Sequence, residues 1–388
     1  MNLLIEIFGE LFMSNINPQQ EKSEQTAVTN SSISNTAEVG HFKRWNTILG
    51  TCNFPEGLDK PDTISKWLVI IRACVFSMTI TSGMIGGFLA MWGAKVAGID
   101  IFQLNWFNFV LAVIAIVLAH AVNNMLNDYF DYKTGVDDSE YARAIYAPHP
   151  ILAGLTTEKG LLTIVALFNV IFIVISIYFA ITVDTLVLVF ALTGLFLSIA
   201  YVSPPFNFKK RGLGEISVFV VWGPLMTGIV FFVTYGKLEN WLWIATIPYA
   251  ITVTTVIMGK HIDKYSADKL KGVHTLPVII GEKISRYINQ ILMVSFYLLI
   301  IGMVYNSIIG VGVLLIFFAI PRLIKTLYLH NKPKPMEAPD DWSVWPLWLV
   351  GWSFWHNKLA GGLFVLGLVV NLLLPSDLLY LTDILSKL

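Results

Sequence analysis

The sequence predicts an all-α integral membrane fold with about nine transmembrane helices, its polar chemistry gathered on one face of the bilayer. Three observations carry that expectation. Of 388 residues, 55% are hydrophobic and 13% charged, a balance outside the range of disordered chains and unusual for a soluble domain. The apolar residues fall in runs of about 20, the length that crosses a bilayer core as a helix. Lysines and arginines collect in alternate connections between those runs, as topology signals do.

Residues 1–65 read as an N-terminal tail. Met1 to Met13 is apolar, but Glu6 and Glu10 interrupt it and no basic residue precedes it. It makes a poor signal peptide, and a short interfacial helix is the alternative. Residues 14–40 are rich in Asn, Ser, Thr, Gln and Glu, with almost no branched apolar or aromatic side chains; this composition predicts disorder. A membrane domain over 66–376 follows, with spans at roughly 67–93, 105–127, 160–182, 185–203, 214–235, 241–261, 287–305, 308–330 and 357–375. Only Val183 and Asp184 separate the third and fourth, which predicts a tight helical hairpin. Pro204-Pro205 ends the fourth, because proline cannot continue the backbone ladder. Residues 377–388 form a short C-terminal tail.

Charge sets the orientation. One side carries Lys43, Arg44, Lys60, Lys133, Arg143, Lys209, Lys210, Arg211, Lys264, Lys269, Lys271, Lys325 and Lys332 among others; the other carries Lys95, Lys237 and Lys387. The first side, with the N-terminus, is placed in the cytoplasm of a multi-pass cell-membrane protein. Net charge is zero, so nothing points to nucleic acid. Cys52 and Cys74 make neither a disulfide framework nor a CxxC motif, and Cys74, inside an apolar run, reads as a small packing residue. Trp342, Trp345, Trp348, Trp352 and Trp355 read as an interfacial aromatic belt rather than a groove for an apolar chain.

Two acidic clusters lie at the ends of spans, both on the cytoplasmic side. The first is Asn127-Asp128-Tyr129-Phe130-Asp131, with Asp137 and Asp138 after it. The second holds Asp263 and Asp268, followed by Gly272, Thr275 and Leu276. Carboxylates at such positions are costly unless paired, hydrated or coordinating a metal. Asn127 and Asp131 are four apart and project from one helical face, with Asp128 beside them. Asp137 follows Gly135 in a loop that can fold back toward that face. Hard oxygen donors of this kind suit Mg²⁺, which keeps room in its shell for a substrate phosphate. The simplest reading is Mg²⁺ held by Asn127, Asp128, Asp131 and Asp137 and gripping a diphosphate, with Asp263 and Asp268 able to bind a second Mg²⁺. Lys264, Lys269 and Lys271 are available to phosphate oxygens as point charges. Solvated loops capped by Asp are the bland alternative, and a second cluster repeating the first on the same face argues against it. A carrier or channel would place its acids near the midplane, whereas these spans are nearly free of Asp and Glu. His120, within the second span, reads as a buried, hydrogen-bonded histidine rather than a base.

At these residues the chain resembles the UbiA superfamily of intramembrane prenyltransferases. Asn127 to Asp137 is similar to that family's first Asp-rich motif, NDxxDxxxD, with the last acid displaced to Asp137. Tyr201-Val202-Ser203-Pro204-Pro205, Lys210-Arg211-Gly212-Leu213-Gly214-Glu215, and Asp268, Gly272, Thr275, Leu276, Pro277 and Gly281 look like the 1,4-dihydroxy-2-naphthoate polyprenyltransferases of menaquinone biosynthesis. The likeness covers about 67 to 375. The sequence departs from the pattern in three places: Asp263 and Asp268 are five apart rather than four, Asp268-Lys269 stands where Asp-Arg is usual, and His149 precedes Pro150 where an arginine is common.

The resemblance implies helices around a central cavity capped by cytoplasmic loops, and Mg²⁺-dependent transfer of a polyprenyl group from an isoprenyl diphosphate to an aromatic acceptor. The acceptor it suggests is 1,4-dihydroxy-2-naphthoate. Alternatives within the family are 4-hydroxybenzoate, another quinone precursor, a chlorin, a haem or a glycerol phosphate lipid; a transporter is the remote one. The implied catalytic residues are Asp128, Asp131, Asp268 and Tyr201, the last stabilising an allylic cation by its ring face. Asn127, Lys133, Lys269, Lys271, Arg72 and Arg211 are implied substrate contacts, Arg72 lying where the family often has an arginine.

Overall fold

Turn chemistry decides where each apolar run begins and ends as a helix. A computed structural model describes residues 40–381 apart from 56, 59, 341, 376 and 377. The apolar stretch Met1 to Met13, nearly all of the polar stretch 14–40 and most of 377–388 lie outside the described residues. Two short helices come first, α1 (His41–Thr51) and α2 (Thr63–Ile70). Eight helices among the described residues are long and apolar enough to cross a membrane. In chain order, with the connecting helices, they are α3 (Ala73–Val96), α4 (Trp106–Lys133), α5 (Ala142–Tyr146), α6 (Glu158–Thr182), α7 (Leu186–Val202), α8 (Gly214–Tyr235), α9 (Asn240–Asp263), α10 (Tyr265–Leu270), α11 (Leu276–Ile280), α12 (Glu282–Tyr305), α13 (Val311–His330) and α14 (Leu349–Leu373). Of these, α7 is apolar but only 17 residues long, and α5, α10 and α11 are short connectors. The all-α membrane fold is as expected; the described residues form no strand, only an isolated bridge between Arg211 and His274.

The first expected span is broken. Helix α2 stops at Ile70, Arg72 takes the left-handed conformation (φ 56°), and the chain restarts at Ala73. A left-handed non-glycine residue costs about 1–2 kcal/mol and needs compensation. The Asn124 amide donates to the freed Ile71 carbonyl at 3.1 Å, and Arg72 itself donates to Asp128. The last span begins earlier than the apolar run suggests. Asp263 accepts the backbone N–H groups of Leu349 and Val350, each at 2.9 Å, which satisfies donors that a helix start otherwise leaves open.

The expected hairpin between α6 and α7 forms, with Asp184 Oδ1 accepting the Leu186 N–H at 2.7 Å. Pro224 gives α8 a widened turn over Val221–Leu225, and Ser82 Oγ donates to the Trp222 carbonyl there at 2.9 Å. Packing is backbone to backbone in places. A Cβ on Gly86 of α3 would lie 2.6 Å from the Thr227 carbonyl of α8, and one on Gly367 of α14 would lie 2.5 Å from Val313 of α13. Small residues allow this approach, which supplies van der Waals contact where lipid removes the hydrophobic drive between helices. Helix α9 packs against α12 and α14, and Leu89, Phe231, Tyr249, Phe296 and Phe364 form the shared core.

Two sequence readings change. Cys52 and Cys74 are joined as a disulfide, tying the end of α1 to the start of α3; the break at Arg72 folds α1 back beside α3, a proximity that a 22-residue separation does not reveal. The tryptophans do not simply line an interface. Trp342 packs on Trp348 and Trp352 with ring centroids 4.6 and 5.5 Å apart, and Trp355 continues the stack.

Candidate active site

The C-terminal end of α4 supplies the first acids. Asn127, Asp128 and Asp131 are all buried on its inward face, as their spacing predicts. The chain then turns at Gly135 (φ 67°), and Asp137 folds back, its backbone N–H bonded to the Asp131 carbonyl at 3.1 Å. Four buried polar side chains thus meet at one helix end.

Their charges are largely balanced by cations from elsewhere in the chain. Arg143 of α5 grips Asp128 with both Nε and Nη2 at 3.0 Å, and Arg72 donates to the same carboxylate. Lys209, in the loop after α7, donates to Asn127 Oδ1 at 2.9 Å and to Asp131. Burial opposes the Lys209 charge, but Asp131 and Asp137 outweigh it and hold the ammonium above its ordinary pKa. Lys210 Nζ lies 3.5 Å from Asp131. From the second cluster, Asp268 accepts from the Tyr141 hydroxyl, and Lys264 Nζ lies 3.4 Å from its Oδ1. Burial first, and then Asp268, push the Tyr141 phenol well above its usual range.

Asp137 differs from the other acids. Both its oxygens, and Nε2 of His149, are buried without a hydrogen-bond partner; His149 Nε2 stands 3.5 Å from Asp137 Oδ2. Asp128, Asp137 and His149 offer donor atoms within 4.8 Å of one another. Orphaned buried acceptors are costly, and the two Asp137 oxygens are the ones in this set still open to a divalent cation, Asp128 being shared with Arg143 and Arg72.

Beneath the acids lies a cavity of about 760 Å³, walled largely by apolar side chains of α4, α6, α7 and α8, including Ile116, Phe172, Phe179, Leu195 and Leu225. Asn127, Arg72, Lys260 and Tyr201 line it at the polar end. Arg72, Asn127, Tyr146 and Lys260 also line the small pocket among Asp131, Asp137, Lys209 and Lys264, so the acid centre and the cavity share a wall. His120 faces the cavity with Nδ1 2.7 Å from Thr79 Oγ1, between the rings of Phe76 and Trp222; it is the buried, hydrogen-bonded histidine expected.

Other expected site residues are not brought in. Asp263 faces the start of α14 instead. Lys133 pairs with Glu158 at 2.7 Å on the surface, Lys271 pairs with Asp138, Lys269 is exposed beside Tyr265, and Arg211 is exposed and donates to the Pro205 carbonyl at 2.8 Å. Sequence reasoning missed Arg143, Lys209, Lys260, Tyr141 and His149 as site residues. Arg143 and Lys209 were legible only as topology charges; His149 carried a signal, standing where the resembled pattern has arginine.

A buried acid–cation pole beside an apolar cavity, set among helices long and apolar enough to cross a membrane, is the arrangement of an intramembrane enzyme. Residues 83–349 match the UbiA prenyltransferase family; the chain belongs to that family and is a prenyltransferase. Relatives include UbiA prenyltransferase domain-containing protein 1 of Danio rerio, 23% identical over 252 residues, 62% of this chain and 69% of that protein. The 2-carboxy-1,4-naphthoquinone phytyltransferase of Synechocystis sp. is 25% identical over 62% of this chain and 74% of its own. The 1,4-dihydroxy-2-naphthoate octaprenyltransferase of Bacillus subtilis is 20% identical over 63% and 75%. Among solved structures, a UbiA homolog from Archaeoglobus fulgidus bound to DMAPP and Mg²⁺ aligns at 15% identity and a TM-score of 0.49, covering 78% of this chain and 99% of that one.

Proposed function

We propose that this chain transfers a polyprenyl group from an isoprenyl diphosphate to 1,4-dihydroxy-2-naphthoate, with Mg²⁺ as cofactor and the acid pole facing the cytoplasm. The observation that carries the reading is that the buried acid–cation pole adjoins the apolar cavity of about 760 Å³, the two sharing Arg72, Asn127, Tyr146 and Lys260 in their walls; the cavity is of a size suited to a small-molecule chain. The naphthoate acceptor is supported by the two naphthoate and naphthoquinone relatives and by the Tyr201 and Gly272 to Gly281 stretches. Residues 66–376 are the catalytic domain in this proposal, and the bilayer is the solvent of the tail.

The diphosphate is gripped by Lys209, Lys264 and Arg72, with Asn127, Asp131 and Asp268 orienting those cations. Asp128, Asp137 and His149 are the residues that would hold Mg²⁺, which supplies positive charge to a diphosphate as its bridging bond breaks. The C1–O bond breaks with its electron pair leaving on the diphosphate. The ring carbon bearing the acceptor carboxylate forms a bond to C1, and carbon dioxide departs, returning its pair to the ring. Tyr201, at the polar end of the cavity, presents its ring to the allylic cation. The apolar walls exclude water that would quench it.

Purified protein in lipid with Mg²⁺, labelled geranylgeranyl diphosphate and a panel of acceptors tests this, products being identified by mass. A decarboxylated prenyl naphthoquinol, absent with Asp131→Ala, is expected. Prenylation of 4-hydroxybenzoate or another acceptor alone would move the pathway while keeping the chemistry.

A further inference from the structure

The second acidic cluster contributes one carboxylate to the site. Asp263 is spent on the backbone of Leu349 and Val350, and its neighbour Lys264 holds the inward position, buried, with its ammonium 3.4 Å from Asp268 Oδ1 and 4.4 Å from the centre of the Tyr141 ring. Asp268 also accepts from the Tyr141 hydroxyl and lies 3.5 Å from Thr275 Oγ1. Its surroundings are therefore an ammonium and two hydroxyl donors. The only described group of three acids and histidines able to surround an ion is Asp128, Asp137 and His149.

A divalent ion asks for several oxygen donors that are not already engaged. The Asp268 carboxylate carries an ammonium and two hydroxyls, whereas both Asp137 oxygens are buried without a hydrogen-bond partner. We infer that this chain binds a single divalent ion, on the Asp137 side, and that the Lys264 ammonium fills on the Asp268 side the charge-neutralising role of a second ion. The inference rests on the isoprenyl diphosphate reading above. An ammonium delivers less charge than a divalent ion, but it is built in and no chelator removes it.

The test counts ions. Protein in nanodiscs is saturated with a geranylgeranyl S-thiolodiphosphate, which resists ionisation, and titrated with Mn²⁺ followed by electron paramagnetic resonance and equilibrium dialysis. One Mn²⁺ per bound analogue is expected. Two would overturn the inference and leave the proposed function standing. Failure to bind the analogue at any metal concentration would overturn the proposed function and this inference with it. Lys264→Asp, monodisperse and still holding the first ion, is expected to gain a second Mn²⁺ with a spin-coupled signal; no gain overturns the role given to Lys264. Lys264→Gln removes the charge and keeps a polar side chain, and is expected to retain one ion while analogue affinity falls at least about tenfold.

Discussion

Asp128 and Arg143 meet in a two-pronged ion pair, Nε on Oδ1 and Nη2 on Oδ2, each at 3.0 Å, wholly inside the protein. Arg72 closes on the same carboxylate from the break between α2 and α3. One acid therefore holds together the end of α4, the connector α5 and the left-handed corner at Arg72, and its role is at least as much architectural as chemical.

Asp128→Asn leaves two buried guanidinium groups without their counter-charge. Breaking a buried pair from one side costs about 3–5 kcal/mol. Thermal unfolding in detergent is expected to show a large drop in midpoint, and Arg143→Gln a smaller one, since Arg72 still answers the carboxylate.

Asp137→Asn is expected to behave differently. Its oxygens have no hydrogen bond to lose, so the unfolding midpoint changes far less than with Asp128→Asn. Metal-dependent binding of an isoprenyl diphosphate analogue falls by roughly tenfold or more, as when a charged hydrogen-bonding group is removed. Calorimetry with and without Mg²⁺ separates the two effects.

Asp263→Ala removes the cap of α14 and two backbone hydrogen bonds. A lost cap costs about 0.5–2 kcal/mol, so stability declines while turnover per folded molecule persists. Asp268→Ala, by contrast, abolishes turnover. Equal catalytic losses in the two variants would return Asp263 to the site.

The pH dependence follows from Lys209 and Tyr141, both held protonated. A group whose folded pKa is raised contributes stability that is complete below its unfolded value and fades only as pH climbs through the folded one. For Lys209 that window opens above roughly pH 10.4. Diphosphate affinity from roughly pH 7 to 9 should carry no titration from either residue, and Tyr141→Phe should lower affinity without changing the shape of the profile.

Gly194 lines the cavity, and a Cβ there meets nothing within 4 Å. Gly194→Phe places a ring where a long tail would lie. Competition between a short and a long prenyl diphosphate is expected to shift toward the short one by at least about tenfold, since a single methylene in an apolar pocket is already worth about 10–200-fold.

The spans and the first acidic motif were legible because both are local. Asn127, Asp128 and Asp131 share one helical turn, so their spacing alone put them on one face. The placement of Asp263 was not legible, for the reverse reason. Asp263 and Lys264 are adjacent at the end of α9, and which of them points inward depends on where that helix stops and on the distant N–H groups of Leu349 and Val350. Arg143, Lys209 and Arg72 enter through contacts 15 to 82 residues long; no periodicity announces such partners, and a lysine near a membrane end reads first as a topology charge.

Three of the acids at the pole, Asp128, Asp131 and Asp268, already carry arginine or lysine partners supplied by the same chain. Buried carboxylates without counter-charge would hinder the chain from settling into lipid before any ligand arrived. With the compensation encoded in cis, the helices can assemble around the pole before any ligand is bound.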